Sequence, residues 1–256
     1  MIYTYHHLKI YYQKYGNKKN TIVILPGWGN TRNTFQSIIE YFQNEYTIYI
    51  MDYPGFGNSP IPEQELTMDD YAILIKEFLK ENKIENPIII AHSFGGRITS
   101  LVVTKYQVKV KKIVLIDVAG IKRRKTLLKY LKEKIYKLLK SLTRLLPPIK
   151  QEKYRQKLLM YFASSDYQSI PKCMQKTFQN IIGKDLRNYY KKINTETLLI
   201  WGENDQDTPL KDGYYLRKII KNSALIVYKG ANHFSYLQYK ELTNQIIQEF
   251  IKEKQV

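Results

Sequence analysis

The stretch IIIAHSFGGRI, residues 88–98, places an apolar run directly before a histidine, a serine and two glycines. One interpretation is a plain strand-to-helix turn, in which glycine supplies backbone freedom and Ser93 caps the following helix. The other is a nucleophile elbow, a strained turn that holds a serine hydroxyl at the top of a sheet. The motif alone does not separate them, because small-x-Ser-x-Gly patterns also arise by chance. The elements on either side of it are therefore needed.

Apolar runs and alternating segments recur along the whole chain, with helical patterns between them. Strands are predicted at residues 8–14, 21–25, 46–51, 88–91, 113–116, 197–201 and 224–228. The clearest amphipathic helices are MDDYAILIKEFLKEN, residues 68–82, and KELTNQIIQEFIKE, residues 240–253. This alternation predicts an α/β fold with a mainly parallel central sheet and helices on both faces. The early strands are free to form an antiparallel start.

The segment 121–192 interrupts the alternation. From Lys122 to Pro147 its leucines and isoleucines recur at helical spacing, and Pro147 and Pro148 end that pattern. Further helical patterns cover residues 154–162 and 174–182, and strands resume near Thr197. The sequence thus predicts a core of residues 1–120 and 193–256 with an inserted helical cap, residues 121–192. We expect the apolar face of the cap to lie against the core or a binding site.

Polar residues follow the predicted strands, at the sheet edge where open parallel sheets bind ligands. Ser93, Asp205 and His233 each come just after a strand, in the order nucleophile, acid and base. A serine needs a base to remove its proton, and a carboxylate at the second ring nitrogen holds the imidazole in place. Asp207 and Glu203 share the acidic loop, but the Gly-x-x-Asp spacing after the strand favours Asp205.

Two backbone N–H groups, those of Phe94 and Trp28, are candidates for an oxyanion hole, because both border glycine. His92 is expected to point away from Ser93, and Cys173 to be a small buried apolar residue. With one cysteine and four scattered histidines, no metal cluster is expected. FGGR lacks the lysine and the spacing of a phosphate loop, so no cofactor is expected either.

The combined motifs resemble those of the α/β-hydrolase fold family, in particular its small capped esterase-like members. They are LPGWGNT (25–31), DYPGFGNS (52–59), AHSFGGR (91–97), WGENDQDTP (201–209) and GANHFSY (230–236). The sequence departs from the family at two positions. Ala91 stands where the family usually has glycine, and Pro26 stands where the family has a histidine before the oxyanion-loop glycine. The resemblance implies a serine hydrolase of carboxylic esters that works through an acyl-enzyme. Thioester, amide or carbon–carbon hydrolysis, and a ligand receptor with little turnover, stay open.

The net charge of +18 belongs to one part of the chain. Residues 121–192 contain 20 Lys and Arg against four acidic residues, which accounts for +16. A solvated face of a lysine-rich protein is one interpretation. A landing surface for an acidic partner, such as an acyl-carrier protein, or for an anionic membrane is another. No recognised nucleic-acid motif accompanies the charge. The single cysteine and the absence of a signal-peptide pattern favour a cytoplasmic protein.

Overall fold

The structure is a computed structural model that describes residues 1–122, 127–162 and 170–252. Its centre is an eight-stranded sheet in the order β1-β2-β4-β3-β5-β6-β7-β8. The strands are β1 Ile2–Tyr5, β2 Leu8–Tyr15, β3 Thr21–Leu25, β4 Thr47–Met51, β5 Ile88–His92, β6 Lys112–Ile116, β7 Thr197–Gly202 and β8 Ser223–Tyr228. β2 pairs antiparallel with β1 and β4, and all other pairs are parallel. The predicted α/β fold is confirmed, and β1 is an addition to it.

Ten α-helices lie in the part of the chain that the structure describes. They are α1 Gln36–Phe42, α2 Met68–Glu81, α3 Phe94–Thr104, α4 Leu127–Leu142, α5 Pro148–Phe162, α6 Lys172–Ile182, α7 Arg187–Tyr190, α8 Leu210–Ile219, α9 Ser235–Gln238 and α10 Lys240–Ile251. The start of α2 illustrates why a helix begins where it does. Thr67 accepts a hydrogen bond from the Asp70 N–H, and Asp70 accepts one from the Thr67 N–H, which forms a capping box.

Alternate residues of the central strands enter two separate hydrophobic cores. Val23 and Leu25 of β3 join a core with α2, α3 and α8, whereas Ile22 and Ile24 join one with α1, α9 and α10. These four side chains are almost completely buried. Because side chains of a strand alternate between its faces, a wholly apolar strand such as β3 needs helices on both sides. Each such burial contributes about 1.5–3 kcal/mol.

The regular elements that the structure describes between β6 and β7 are all helical, and α4 packs against α5. Residues 123–126 and 163–169 of the predicted cap lie outside the described residues. The helix expected over 122–147 is shorter and ends in a 3-10 turn at Thr143–Leu145. Pro148 begins the next helix, as proline does at a first helical position. The boundaries of the cap as a separate unit stay a prediction.

Two expectations for this segment are wrong. The apolar stripe of α4 does not face the core, because Leu131, Ile135, Leu138 and Leu142 are all exposed. Cys173 is also exposed, on the outer side of α6, rather than buried. Helical periodicity shows which residues share a face, but it does not show whether anything covers that face. In the described part of the chain, no helix is long and apolar enough to cross a membrane.

Candidate active site

Ser93 occupies a strained turn between β5 and α3. Its φ of 46° and ψ of −107° lie in a region that residues with side chains rarely adopt. The Ser93 N–H donates to the Ile116 carbonyl, and its own carbonyl accepts from the N–H groups of Gly96 and Ala119. These bonds to β6 and the loop after it hold the turn in place. They leave the Ser93 hydroxyl at the carboxyl end of the sheet.

The glycines after Ser93 allow α3 to begin close to β3. A Cβ atom on Gly95 would lie 1.9 Å from the Leu25 carbonyl oxygen, and one on Gly96 would lie 2.4 Å from the Val118 side chain. Any side chain at Gly95 would therefore separate helix from strand. The paired glycines of the motif are explained by this close approach rather than by flexibility.

The structure brings together the three side chains that the sequence analysis selected. His233 Nε2 lies 3.0 Å from Ser93 Oγ, and His233 Nδ1 lies 2.9 Å from Asp205 Oδ2. Because a carboxylate only accepts, Nδ1 carries the hydrogen and Nε2 is left to accept from the serine hydroxyl. This tautomer is the one in which a histidine acts as a base toward serine. The arrangement is buried, with 13% of the His233 side chain exposed and none of that of Asp205.

Asp205 is fixed by its own loop as well as by His233. Its Oδ1 accepts from the backbone N–H groups of Asp207 and Thr208, both at 2.8 Å, and its Oδ2 accepts from the Thr208 hydroxyl at 2.6 Å. Burial by itself would raise the pKa of Asp205, but the bonds from His233 and Thr208 hold that pKa below its usual value. Asp205 is therefore a carboxylate at neutral pH.

The pKa of His233 is shifted in the opposite direction. Burial by itself would lower it, but the hydrogen bond to Asp205 and the charge of that carboxylate outweigh burial and raise the pKa above its usual value. The two acidic alternatives make other contacts. Glu203 accepts from the Gly230 N–H at 2.8 Å, and Asp207 lies exposed at the rim. Of the three carboxylates in this loop, Asp205 is the one hydrogen-bonded to His233.

The backbone N–H groups of Trp28 and Phe94 border the same space as Ser93. Trp28 lies in a turn closed by a hydrogen bond from the Asn30 N–H to the Gly27 carbonyl, and Phe94 is the first residue of α3. Among the described residues, neither N–H donates to a protein acceptor. The first N–H groups of a helix have no partner within it and carry partial positive charge. Both groups are thus available to an oxygen that develops negative charge.

Two buried residues next to these side chains were not recognised from the sequence. His92 lies beneath His233, with ring centroids 4.8 Å apart, and its Nε2 donates to the His233 carbonyl at 2.8 Å. Burial lowers the pKa of His92 to about 3, so the ring is neutral. The His92 ring thus supports the backbone of His233. That contact joins residues 141 positions apart and leaves no local signal.

Asp117 is the second residue that was missed. It follows β6 directly, and its carboxylate accepts from the Gly202 N–H at 2.8 Å and from the Ser235 hydroxyl at 2.6 Å. It therefore joins the loop that carries Asp205 to the one that carries His233. Burial raises the pKa of Asp117 to about 7, although these hydrogen bonds oppose the shift. A systematic examination of the residue after every strand would have found it.

A cavity of about 540 Å³ opens above Ser93 and His233. Its lining is mainly aromatic and aliphatic, from both the core and the segment before β7: Trp28, Phe56, Phe94, Ile170, Pro171, Phe178, Ile181, Ile182 and Phe234. Arg97 is the buried cation in this lining, and its Nη1 donates to the carbonyls of Ile181 and Lys184, both at 3.1 Å. That bond pair fastens the end of α6 to α3. An apolar cavity with a few convergent polar groups is typical of a small-molecule site.

The side chains that could hold a metal ion are already engaged. Asp205, Asp207 and His233 offer ligand atoms within 4.8 Å of one another. Both oxygens of Asp205 accept hydrogen bonds, and His233 Nδ1 donates to Asp205. The arrangement suits proton transfer between serine and histidine better than it suits an ion.

A family model described as alpha/beta hydrolase fold matches residues 20–239. The uncharacterized hydrolase YugF of Bacillus subtilis is 25% identical over 259 residues, covering 96% of this chain and 95% of that protein. A 2-hydroxy-6-oxononadienedioate/2-hydroxy-6-oxononatrienedioate hydrolase of Pseudomonas putida is 25% identical and covers 95% of this chain and 92% of that protein.

Solved structures share the fold at lower identity. MGS-M2, an alpha/beta hydrolase from a deep-sea metagenome library of the Medee basin, superposes with a TM-score of 0.77 at 21% identity, covering 100% of this chain and 98% of that one. The esterase EaEST of Exiguobacterium antarcticum superposes with a TM-score of 0.73 at 22% identity, covering 96% of each chain.

Proposed function

The chain belongs to the α/β-hydrolase fold family, and we propose that it is a serine hydrolase that cleaves carboxylic esters through an acyl-enzyme. The observation that carries the proposal is the continuous hydrogen-bonded series from Ser93 through His233 to Asp205, which opens into an apolar cavity. In this proposal Ser93 is the nucleophile, His233 the general base and Asp205 the acid that orients it.

In the first half-reaction Ser93 Oγ attacks the carbonyl carbon of the ester while its proton moves to His233 Nε2. Asp205 stabilises the imidazolium that forms and stays ionised itself. The carbonyl oxygen becomes an oxyanion, which the N–H groups of Phe94 and Trp28 are placed to stabilise. Removing one such donor costs about 3–4 kcal/mol of transition-state stabilisation in comparable sites. The tetrahedral intermediate then collapses, and the imidazolium gives its proton to the departing alkoxide.

In the second half-reaction water takes the place of the alcohol. His233 Nε2 removes a proton from the water as its oxygen attacks the acyl carbon, and the second tetrahedral intermediate expels Ser93 Oγ, which regains its proton from His233. The products are a carboxylic acid and an alcohol. No other group needs to be supplied.

Hydrolysis of a carbon–carbon bond beside a ketone is the second candidate. It is favoured by the full-length likeness to the Pseudomonas putida hydrolase, whose name specifies a 2-hydroxy-6-oxononadienedioate or -trienedioate. Esters are preferred because the cavity lining is mainly apolar, whereas the dienoate of that relative carries carboxylates. Both reactions begin with attack on a carbonyl group, and thioesters and amides would use the same residues.

The proposal is tested with p-nitrophenyl esters from acetate to palmitate. We expect turnover by the wild type and a loss of roughly 10⁴- to 10⁶-fold in kcat for Ser93→Ala. Ser141→Ala, which removes an exposed hydroxyl from α4, is the matched control and should leave turnover unchanged. The dienoate of the Pseudomonas relative is assayed in parallel. A higher kcat/KM for that compound than for every ester would replace the ester proposal by the carbon–carbon one.

A further inference from the structure

The helix α4 exposes an unbroken apolar line to solvent. Leu131, Ile135, Leu138 and Leu142, which we call the exposed stripe, are spaced by four, three and four residues. At about 100° per residue they fall within an arc of about 60° on one side of the helix. The exposed fraction of these four residues ranges from 45% to 61%. Leu145 in the 3-10 turn and Ile149 in α5 are also exposed, at 83% and 94%.

The flank of α4 next to the exposed stripe is partly covered by the protein itself. Tyr136 and Leu139 are half-buried on that flank, and the buried Thr143, just after the helix, accepts a hydrogen bond from Arg155 Nε of α5 at 3.1 Å. The exposed stripe is therefore the part of the apolar face of α4 that the described chain leaves about half exposed. A contiguous exposed apolar patch of this kind is typical of a surface that contacts another protein, a ligand or a membrane.

Lysines flank the exposed stripe. At about 100° per residue the exposed Lys132 and Lys134 lie on either side of it, whereas Lys137 and Lys140 lie toward the opposite side of the helix. Residues 121–192 as a whole carry a net charge of +16. Lysine side chains can lie along apolar surface while their ammonium groups reach outward. A helix with a narrow apolar line and a lysine-rich remainder is typical of helices that lie in the headgroup region of a membrane.

We propose that the exposed stripe docks this protein on the surface of an anionic membrane, with the side chains of the stripe inserted among the acyl chains and the flanking lysines, Lys132 and Lys134, against the lipid phosphates. The charge argues against a second copy of the chain as the occupant, because two such segments would bring like charges together. An acidic protein would satisfy the lysines. However, leucine and isoleucine side chains in a line about 16 Å long suit a fluid apolar layer without requiring a shaped groove. The docking does not rest on the proposed esterase activity.

The test is flotation of the full-length protein with large unilamellar vesicles. One set is pure phosphatidylcholine and the other contains 30% phosphatidylglycerol, each at 50 and 500 mM NaCl. We expect binding to the phosphatidylglycerol vesicles that is at least tenfold stronger than binding to pure phosphatidylcholine, and that weakens at high salt. The triple variant Ile135→Ser/Leu138→Ser/Leu142→Ser should lose more than tenfold in partitioning. Because the three side chains are exposed, the variant should fold normally, which circular dichroism checks.

Two further variants separate the apolar and the electrostatic contributions. Lys132→Gln/Lys134→Gln should weaken binding by about fivefold per lysine and reduce its salt dependence. Leu242→Ser, an equally exposed leucine on α10, is the matched control and should bind like the wild type. Ser93→Ala should also bind like the wild type, which keeps docking distinct from catalysis.

Three results would overturn the proposal. The wild type could fail to float with phosphatidylglycerol vesicles, or the triple variant could float as well as the wild type. The protein could also form dimers that the triple variant loses, which would make the exposed stripe an interface between copies. Binding to soluble polyglutamate in the absence of vesicle binding would point to an acidic protein instead.

Discussion

His233 lies between a hydroxyl that gives up a proton and a carboxylate that keeps its charge. The carboxylate of Asp205 raises the pKa of the ring, so a smaller fraction of His233 is neutral at a given pH than in an isolated histidine. A base acts only when it is neutral. The acid limb of the activity profile should therefore lie at higher pH than the usual histidine value of about 6.5.

Replacing Asp205 by asparagine should change both the height and the position of this profile. We expect kcat to fall by about 10⁴-fold, because the ring loses the partner that fixes its tautomer. The residual kcat/KM should have its acid limb at lower pH, because the charge that raised the pKa of His233 is gone. The measurement is kcat/KM for an ester between pH 5 and 9.

Asp207→Asn is the control for charge alone. Asp207 also raises the pKa of His233, but its effect is smaller than that of Asp205. We expect nearly full activity and a small displacement of the acid limb. If the two asparagine variants lowered kcat by the same factor, Asp205 would not be the residue that orients His233.

Single residues near Ser93 show which parts of the site a sequence can reveal. The meeting of Ser93, Asp205 and His233 was predictable, because carboxyl ends of parallel strands share one edge of the sheet. The same rule applies to Asp117, which follows β6 and was missed. The support that His92 gives to His233 was not predictable, since it depends on the packing of two rings from distant segments.

At the scale of elements, the join between β5, α3 and β3 is the most constrained part of the fold. The start of α3 lies against the carbonyl of Leu25, with only a hydrogen atom of Gly95 between them. This contact places the N-terminus of α3, and with it the Phe94 N–H, at the end of the sheet.

Gly95→Ala should therefore be severely destabilising. A methyl group 1.9 Å from a backbone oxygen cannot be accommodated by a side-chain rotation, so strand and helix must move apart. We expect a loss of at least about 3 kcal/mol in the free energy of unfolding, measured by urea denaturation.

Gly183→Ala is the matched control. A Cβ atom there would meet one atom, the Gln179 carbonyl oxygen, at an ordinary distance of 3.4 Å, and its φ of −72° suits any residue. We expect no loss of stability. A Gly95→Ala protein as stable as the wild type would show that α3 does not begin this close to β3.

The elements themselves were predictable to different degrees, for physical reasons. The apolar runs of β3 and β5 are long enough to predict strands buried on both faces. β1 has four residues with a single buried one, and it becomes a strand only by pairing with β2. The stripe of α4 was predicted as an apolar face, but the sequence does not contain the information that about half of each of its side chains stays exposed.

At the scale of the whole molecule, the candidate catalytic residues and most of the positive charge lie in different parts of the chain. The core carries Ser93, Asp205 and His233 and is almost neutral, whereas residues 121–192 carry most of the positive charge. The two parts meet at the cavity. There Ile170 and Phe178 of the helical segment pack against Trp28 and Phe56 of the core. Substrate selection is thus expected to depend on the helical segment, and bond cleavage on the core.

Ser93 is proposed as a nucleophile that His233 activates. The most direct measurement is reaction with a fluorophosphonate, followed by peptide mapping in a mass spectrometer. A phosphonyl group should be found on the peptide that contains Ser93, at a stoichiometry of about one per chain, and His233→Ala should abolish the labelling. An unlabelled wild type, or a label that persists at another residue in Ser93→Ala, would show that Ser93 is not the activated nucleophile.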